Sequence, residues 1–486
     1  MSLRRWPAGV VVGAIVVIGL LARGAAYTGQ SFSWGSDESR YLGVVQNLAN
    51  GYFPSGDTEW FGSRVGLLWP VAALFRLIHP SDAVAALWPL AASLAGIIAA
   101  YLLGRDLATR NVGFVAAALV AVTPLEALVG ARLRPDAIVP ALIAFAVWCA
   151  IHAGRSRRAA MRWAFAAGLL LGLAWAVREN AVILAPVLIM AGRRARRRGL
   201  WFGLGGAAVL PVLTSLIFAV GAGAPLRPLI GAGTEGAFRN PVDAFRFDTS
   251  YLAILGRATL DPGSPFFLLT ATLIATVIVA FYVRDRRTWL PGLWLAWVAL
   301  YLEFGTLVNL AKPTRYLTLC TIPCALVVAM AFEGRFAVLA PAALALVSVC
   351  ALWNVPGRGL RPDDSGLVSQ VATRLRALPE GPVLAESYTW YAKLGTYTAR
   401  RRLTIPDVVD PEFVSAAEAT EARLLVPLPE PADFRSGYLV TGPVHPRQGW
   451  PSNWRQARAP IRAEIDPTRL ELVAEVGPAM IWRWRQ

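Results

Sequence analysis

The stretch Gly168-Leu-Leu-Leu-Gly-Leu-Ala-Trp-Ala-Val-Arg-Glu-Asn-Ala-Val-Ile-Leu-Ala-Pro-Val-Leu188 decides how this chain is laid out. It is apolar on both sides of a polar centre, Arg178-Glu179-Asn180. Either one long helix carries two charges through its middle, or two short helices meet at a bend. Basic clusters flank the segment, Arg155-Ser-Arg-Arg158 before it and Arg193-Arg-Ala-Arg-Arg-Arg198 after it. Loops rich in arginine stay on the cytoplasmic side of a membrane, so both clusters belong on one side. The segment 162–192 must then leave that side and return to it. This predicts two short helices joined at Arg178–Asn180.

The membrane reading rests on composition. Hydrophobic residues make up 56% of the 486, charged residues only 16%, and the mean hydropathy is +0.49. Soluble domains carry about a quarter charged residues. Apolar runs long enough to cross about 30 Å of hydrocarbon recur from residue 8 to residue 354. The first, Ala8–Ala26, follows Met1-Ser-Leu-Arg-Arg-Trp and reads as an uncleaved helix with a cytoplasmic N-terminus. Others fall near 65–79, 82–103, 111–130, 135–152, 162–178, 180–192, 200–220, 264–283, 289–309, 316–333 and 336–354. The expected fold is a polytopic α-helical membrane protein of about 11–12 transmembrane helices, with a C-terminal soluble α/β domain.

Charge sets the orientation. Arg105–Arg110 and Arg284–Arg287 fall inside, and Arg132-Leu-Arg-Pro-Asp136 falls outside. Segment 65–79 is then a re-entrant or surface helix. If it crosses instead, 162–192 becomes one long helix and Arg132–Asp136 moves to the cytoplasm.

The net charge is +16, almost all from arginine, with Lys312 and Lys393 the only lysines. The basic clusters are short and abut apolar spans, which argues against nucleic-acid binding. Cys149, Cys320, Cys324 and Cys350 all lie in apolar runs and read as small buried hydrophobes. From about residue 356, Pro, Asp, Glu and Arg become common. Ser365–Leu378 reads as a helix, and "GPVLAES", "SGYLVTG" and "AMIWRWR" read as strands. Two domains follow, a transmembrane domain over 1–355, with its first external loop at 27–64, and an extracytoplasmic α/β domain over 356–486.

The loop 27–64 carries "SFSWGSDESRY" (31–41). From Glu38 to Asn50, Tyr41, Val44, Val45 and Leu48 recur at helical spacing, as in an amphipathic surface helix. Asp37 then stands where a helix N-cap would. In the preferred topology Asp37, Glu38, Arg64, Arg132, Arg134, Asp136, Arg178, Glu179, Lys312 and Arg315 converge on the outer side. Each has a plainer role. Arg132 and Arg134 suit interfacial snorkelling, Arg178 and Glu179 an internal ion pair, and Asp37-Glu38 a helix cap. Taken together they suit a cavity in which guanidinium groups hold a phosphate. A carboxylate there deprotonates an acceptor hydroxyl as it attacks a sugar carbon.

The ordered set resembles the GT-C glycosyltransferases, in the bacterial branch related to protein O-mannosyltransferases and lipid A aminoarabinose transferases. Five segments carry the resemblance: "SDESRYLGVVQNLANG", "LLGRDLATRNVGFVAAALVAVTP", "RLRPDAIVPAL", "GLLLGLAWAVRENAVILAPVL" and "KPTRYLTLCTIPCALV". The resemblance implies Asp37 as the catalytic base with Glu38 beside it, and Asp136 as a site acid. It implies Arg178 and Arg315 facing the lipid phosphate, with Arg64 near them; Arg134 and Lys312, from the converging set, are assigned to the same donor site. Tyr41, Glu179 and Tyr316 support them. At Arg64 this chain reads "SRVG" where the family often has "HPP" or "KPP". The donor implied is a polyprenyl-phosphate sugar, transferred with inversion to a glycan, lipid or protein acceptor at the plasma membrane. No cofactor is expected; His79, His152 and His445 lie away from the set, so no metal is assigned, with a divalent ion left open. The competing reading from another class is a transporter or flippase of a lipid-linked or anionic substrate. A binding module on a membrane scaffold is a third.

Overall fold

The structure is a computed structural model. It describes residues 7–27, 37–49, 51, 63–78, 80–156, 158–193, 197–222, 225–226, 289–307, 317–331, 333, 365–379, 383–385, 403–404, 436–441, 470–477 and 479–485. The chain divides into two compact units. The first comprises Met1–Tyr27, Ser63–Leu67 and Ala86–Leu360; the second comprises Thr28–Gly62, Leu68–Ala85 and Arg361–Gln486.

The described helices follow the apolar runs closely. They are α1 (Ala8–Ala26), α2 (Asp37–Ala49), α3 (Val65–Leu77), α4 (Asp82–Leu107), α5 (Arg110–Val122), α6 (Pro124–Val129), α7 (Pro135–Arg155), α8 (Ala160–Val177), α9 (Ala185–Ala191), α10 (Arg197–Ala222), α11 (Trp289–Leu307), α12 (Thr318–Ala331) and α13 (Ser365–Arg376). Among the described residues, five are long and apolar enough to cross a membrane: Ala8–Ala26, Asp82–Leu107, Pro135–Arg155, Ala160–Val177 and Arg198–Gly221. The expected spans at 264–283 and 336–354, and Cys350, lie outside the described residues.

Helix boundaries have local causes. Thr109 caps α5, its Oγ1 accepting from the Val112 N–H at 3.3 Å. The run 111–130 is not one helix. Pro124 lacks an N–H and holds Thr123 extended, with φ −61° and ψ 122°, so α5 stops and α6 restarts. Pro135 opens α7 at its first turn, where a missing N–H costs nothing.

The segment 162–192 is a hairpin. Helix α8 ends at Val177, Arg178 is extended at φ −159° and ψ 124°, and a 3-10 turn covers Glu179–Leu184 before α9. Arg178 lies beside Asp136 at the start of α7. A Cβ on Gly192, past the end of α9, would stand 3.5 Å from the Ala150 carbonyl oxygen, four turns further along α7. The chain has therefore gone up α7's length and come back, as the paired arginine clusters require.

Helices α8 and α10 pack with backbones in near contact. A Cβ on Gly168 would overlap the carbonyl oxygen of Gly203, and one on Gly172 would come within 2.7 Å of the Ala207 carbonyl oxygen. Small residues let membrane helices approach this closely. Cys149, Cys320 and Cys324 are buried, as expected of small hydrophobes.

In the second unit, α2 begins one residue earlier than expected, so Asp37 is its first helical residue and not a cap outside it. Tyr41, Leu42, Val44 and Val45 form its buried face, with Leu48 partly covered. Arg76 closes the other end, Nη2 donating to the Leu48 carbonyl at 2.9 Å and Nε to that of Ala49 at 3.0 Å. A cation there also answers the negative end of the helix dipole. The C-terminal part holds α13 and a five-stranded mixed sheet in the order β2-β1-β3-β5-β4. Its strands are β1 (Val383–Ala385), β2 (Leu403–Thr404), β3 (Ser436–Thr441), β4 (Leu470–Val476) and β5 (Ala479–Arg485). β1 runs parallel to β2 and β3; β5 runs antiparallel to β3 and β4. Gly477, at φ 55°, turns the β4–β5 hairpin in a conformation that suits glycine.

Gly168→Leu should lower the midpoint of thermal unfolding in detergent by an overpacking cost of about 1–3 kcal/mol. Gly205→Ala, where a Cβ meets nothing within 4 Å, should not lower it.

Candidate active site

Three helix ends build a charged layer inside the first unit. The end of α8 supplies Arg178 and Glu179, and the first turn of α7 supplies Asp136. The residue before α3 is Arg64, and the turn into α7 carries Arg132 and Arg134. Arg178 Nη1 donates to Asp136 Oδ1 at 2.7 Å, with both groups buried. Arg64 grips Glu179 with two parallel bonds, Nε to Oε1 and Nη2 to Oε2, each 3.3 Å.

The pairing differs from the plainest sequence reading. Arg178 and Glu179 are not partners of each other. Adjacent residues point apart, so each reaches a different helix: Arg178 to α7, Glu179 to the start of α3. The extended backbone at Arg178 makes this divergence possible.

Two further features fix the layer. Asp136 sits in the first turn of α7, where the positive helix end favours a carboxylate. Gly66 brings the α3 end against the end of α8. A Cβ there would lie 3.0 Å from the Ala176 carbonyl carbon and the Val177 backbone nitrogen. The Gly66 carbonyl also accepts from Trp88 Nε1 at 3.1 Å. Arg64 is thereby held over Glu179 by the backbone on which it stands. Arg132 is buried and Arg134, the residue before α7, is half-buried; the Arg134 N–H donates to the Arg132 carbonyl at 2.7 Å.

The remaining expected residues are placed as follows. Glu38 and Tyr41 are fully buried in α2, in the second unit. Asp37 opens α2, and its side chain lies outside the described set, as do Lys312, Arg315, Tyr316, His79 and His445. His152 is at the far end of α7, against Asp106 at 2.9 Å. Among the described residues no three His, Cys, Asp or Glu side chains gather as metal ligands.

A second buried polar cluster escaped the sequence reading. Arg23, fully buried in α1, donates from Nε to Ser93 Oγ at 2.8 Å, and from Nη1 to the carbonyls of Gly19 and Ala121 at 3.0 and 3.1 Å. Ser93 Oγ in turn donates to Glu126 Oε2 at 3.4 Å. Gly130 leaves room for this contact, since a Cβ there would lie 2.7 Å from Ser93 Oγ and 3.0 Å from Arg23 Nε. The available signal was a lone charge in each of two apolar runs, "LLARGAA" and "TPLEALV".

Residues 65–218 match the family model for dolichyl-phosphate-mannose-protein mannosyltransferase. That segment holds Asp136, Arg178 and Glu179 and starts one residue after Arg64. No match is found among curated protein sequences. The crystal structure of ArnT from Cupriavidus metallidurans bound to undecaprenyl phosphate superposes with a TM-score of 0.68 at 13% identity, over 98% of each chain. The chain has the fold of the GT-C glycosyltransferases. An oligosaccharyltransferase from Archaeoglobus fulgidus in its apo form is similar at a TM-score of 0.55 and 13% identity, over 90% of this chain and 70% of that one. The same organism's AglB, in complex with an inhibitory peptide and a dolichol-phosphate, is similar at 0.52 and 13%, over 91% and 70%. With five described helices long and apolar enough to cross a bilayer, this is a multi-pass membrane protein.

Removing one partner of a buried ion pair strands the other charge, at a cost of about 3–5 kcal/mol. Asp136→Asn should therefore destabilise the detergent-solubilised protein strongly, and Asp136→Asn with Arg178→Gln should recover part of the loss. A double-mutant cycle on unfolding midpoints reads the coupling. The Arg64–Glu179 pair, with Glu179 partly exposed, should show a smaller one.

Proposed function

We propose that this protein is an integral membrane glycosyltransferase that moves a sugar from a polyprenyl-phosphate donor to an acceptor hydroxyl, inverting the anomeric centre. The observation that carries the reading is the buried layer in which Arg64 and Arg178 are each held by a carboxylate at converging helix ends. Two guanidinium groups at membrane depth, oriented in advance, suit a phosphate carried on a lipid.

In this reading Asp136 and Glu179 are positioning residues. They keep two cations buried and aimed, so that little reorganisation is needed when charge develops on the departing phosphate. Arg134, Lys312 and Arg315 add positive charge to the same phosphate, and Tyr316 supports Arg315. Asp37 is the base. It takes the proton of the acceptor hydroxyl as that oxygen bonds to the anomeric carbon. The bond from that carbon to the phosphate oxygen breaks, and the polyprenyl phosphate leaves with the electron pair. Glu38 and Tyr41 hold the first turns of α2 in place, Glu38 as a buried carboxylate that keeps its neighbour in register.

In this reading the arginine clusters at 155–158 and 193–198 mark a cytoplasmic end of α7–α10. In that orientation the charged layer faces outward, and the acceptor is a glycan, lipid or protein. No metal is required for this chemistry.

Purified protein given labelled polyprenyl-phosphate sugars should transfer label to acceptor. Asp37→Asn should cut turnover by about 10²–10⁴-fold, the range for loss of a general base. Chelation should leave the rate unchanged. Wild-type turnover in Asp37→Asn, with transfer intact, would remove Asp37 from the role.

A further inference from the structure

At the opposite end of α7 from Asp136, the first unit holds an apolar groove of about 270 Å³ between α7, α8, α9 and α10. Ala150, which lines it, is fourteen residues from Asp136, or about 21 Å along the helix. Its walls are small and apolar, with Ala153, Ala167, Gly168 and Gly203 among them. Its rim is open, because Ile189, Leu200 and Leu204 are each about half exposed. Among the described residues, the one charged side chain lining it is Arg193.

Arg193 is not placed at random. Its guanidinium lies over the Trp289 ring, 4.5 Å from the centroid. A cation–π contact of this kind holds the cation near the groove mouth while its N–H groups remain able to meet an anion. The surroundings mark a membrane interface. Trp148 and Trp163 pack edge-on at 5.3 Å and Trp201 is exposed, all at this end of their helices. Tryptophan gathers at headgroup level. The sequence continues as Arg193-Arg-Ala-Arg-Arg-Arg198.

A hydrocarbon slot with one oriented cation at its mouth, at an interface rich in arginine, fits an anionic amphiphile. We propose that the groove is a binding site for an anionic phospholipid. One acyl chain fills the slot, and the lipid phosphate meets Arg193. The small volume, just under the usual range of about 300–1,000 Å³ for ligand sites, has room for part of one chain only, the rest lying along the open rim. Charge complementarity selects an anionic headgroup, since juxtamembrane arginines attract anionic lipid. The site is separate from the charged layer and does not depend on the proposed transfer reaction.

The test is native mass spectrometry of the full-length protein, delipidated in detergent and titrated with phosphatidylglycerol or phosphatidylcholine of the same chains. Wild type should retain one phosphatidylglycerol under conditions that strip phosphatidylcholine. Arg193→Gln should weaken phosphatidylglycerol about fivefold, the loss of one interfacial cation. Leu204→Trp, a larger side chain at the rim, should reduce retention with Arg193 intact. Equal retention of the two lipids by wild type would overturn the proposal, and this arm needs no variant to fold. Unchanged phosphatidylglycerol retention in a folded Arg193→Gln would also overturn it.

Discussion

A buried guanidinium in an apolar protein must be answered by a buried acceptor, and the Arg178–Asp136 pair at 2.7 Å is where this chain meets that demand. Removing both charges from water is expensive, and mutual attraction returns the cost only with close geometry. The geometry needs α8 to stop at Val177, Arg178 to be extended, and Asp136 to stand in the first turn of α7. The hairpin 160–191 therefore cannot be straightened into one helix without stranding a charge. Glu179, turned the other way, draws in Arg64, and Gly66 lets that strand of backbone approach. One ion pair thus dictates the ends of three helices.

The Arg23–Ser93–Glu126 cluster applies the same logic to a different part of the unit. Much of α1 is exposed, yet Arg23 is fully buried and reaches α4 and α5 through one hydrogen bond each, with a third to Gly19 in its own helix. An arginine that satisfies carbonyls of two helices and a hydroxyl of a third pins a peripheral helix in one register. Apolar contact alone is a weak guide in lipid, where tails are as apolar as leucine. Polar contacts of this kind define which face of α1 turns inward.

Much of this was legible in the sequence. The bounds of α1, α3 and α10 follow their apolar runs, because hydropathy and span length are set by the bilayer. The bend at Arg178–Asn180 was legible because flanking arginine clusters force a return. The break at Thr123–Pro124 was not separated from its run, although proline marks it in hindsight. Partner choice was not legible at all. Arg178 and Glu179 are neighbours in sequence, but Asp136 and Arg64 lie 42 and 115 residues from their partners, and only packing selects them. Strand β4, "LELVAEV", was missed because its acidic residues mask the alternation. Its partner "AMIWRWR" was found because the alternation there is plain.

The charged layer is meaningful for function only if it binds a lipid phosphate. The most direct measurement is the shift in thermal unfolding of purified protein on adding undecaprenyl phosphate, set against undecaprenol, which has the same tail without the phosphate. A ligand that binds only the folded state raises its stability in proportion to ln(1 + [L]/Kd). The phosphate should stabilise wild type well beyond the alcohol, and that difference should shrink in a folded Arg64→Gln. Equal shifts from phosphate and alcohol would mean that the tail alone is bound, and would contradict the reading of the layer as a phosphate site.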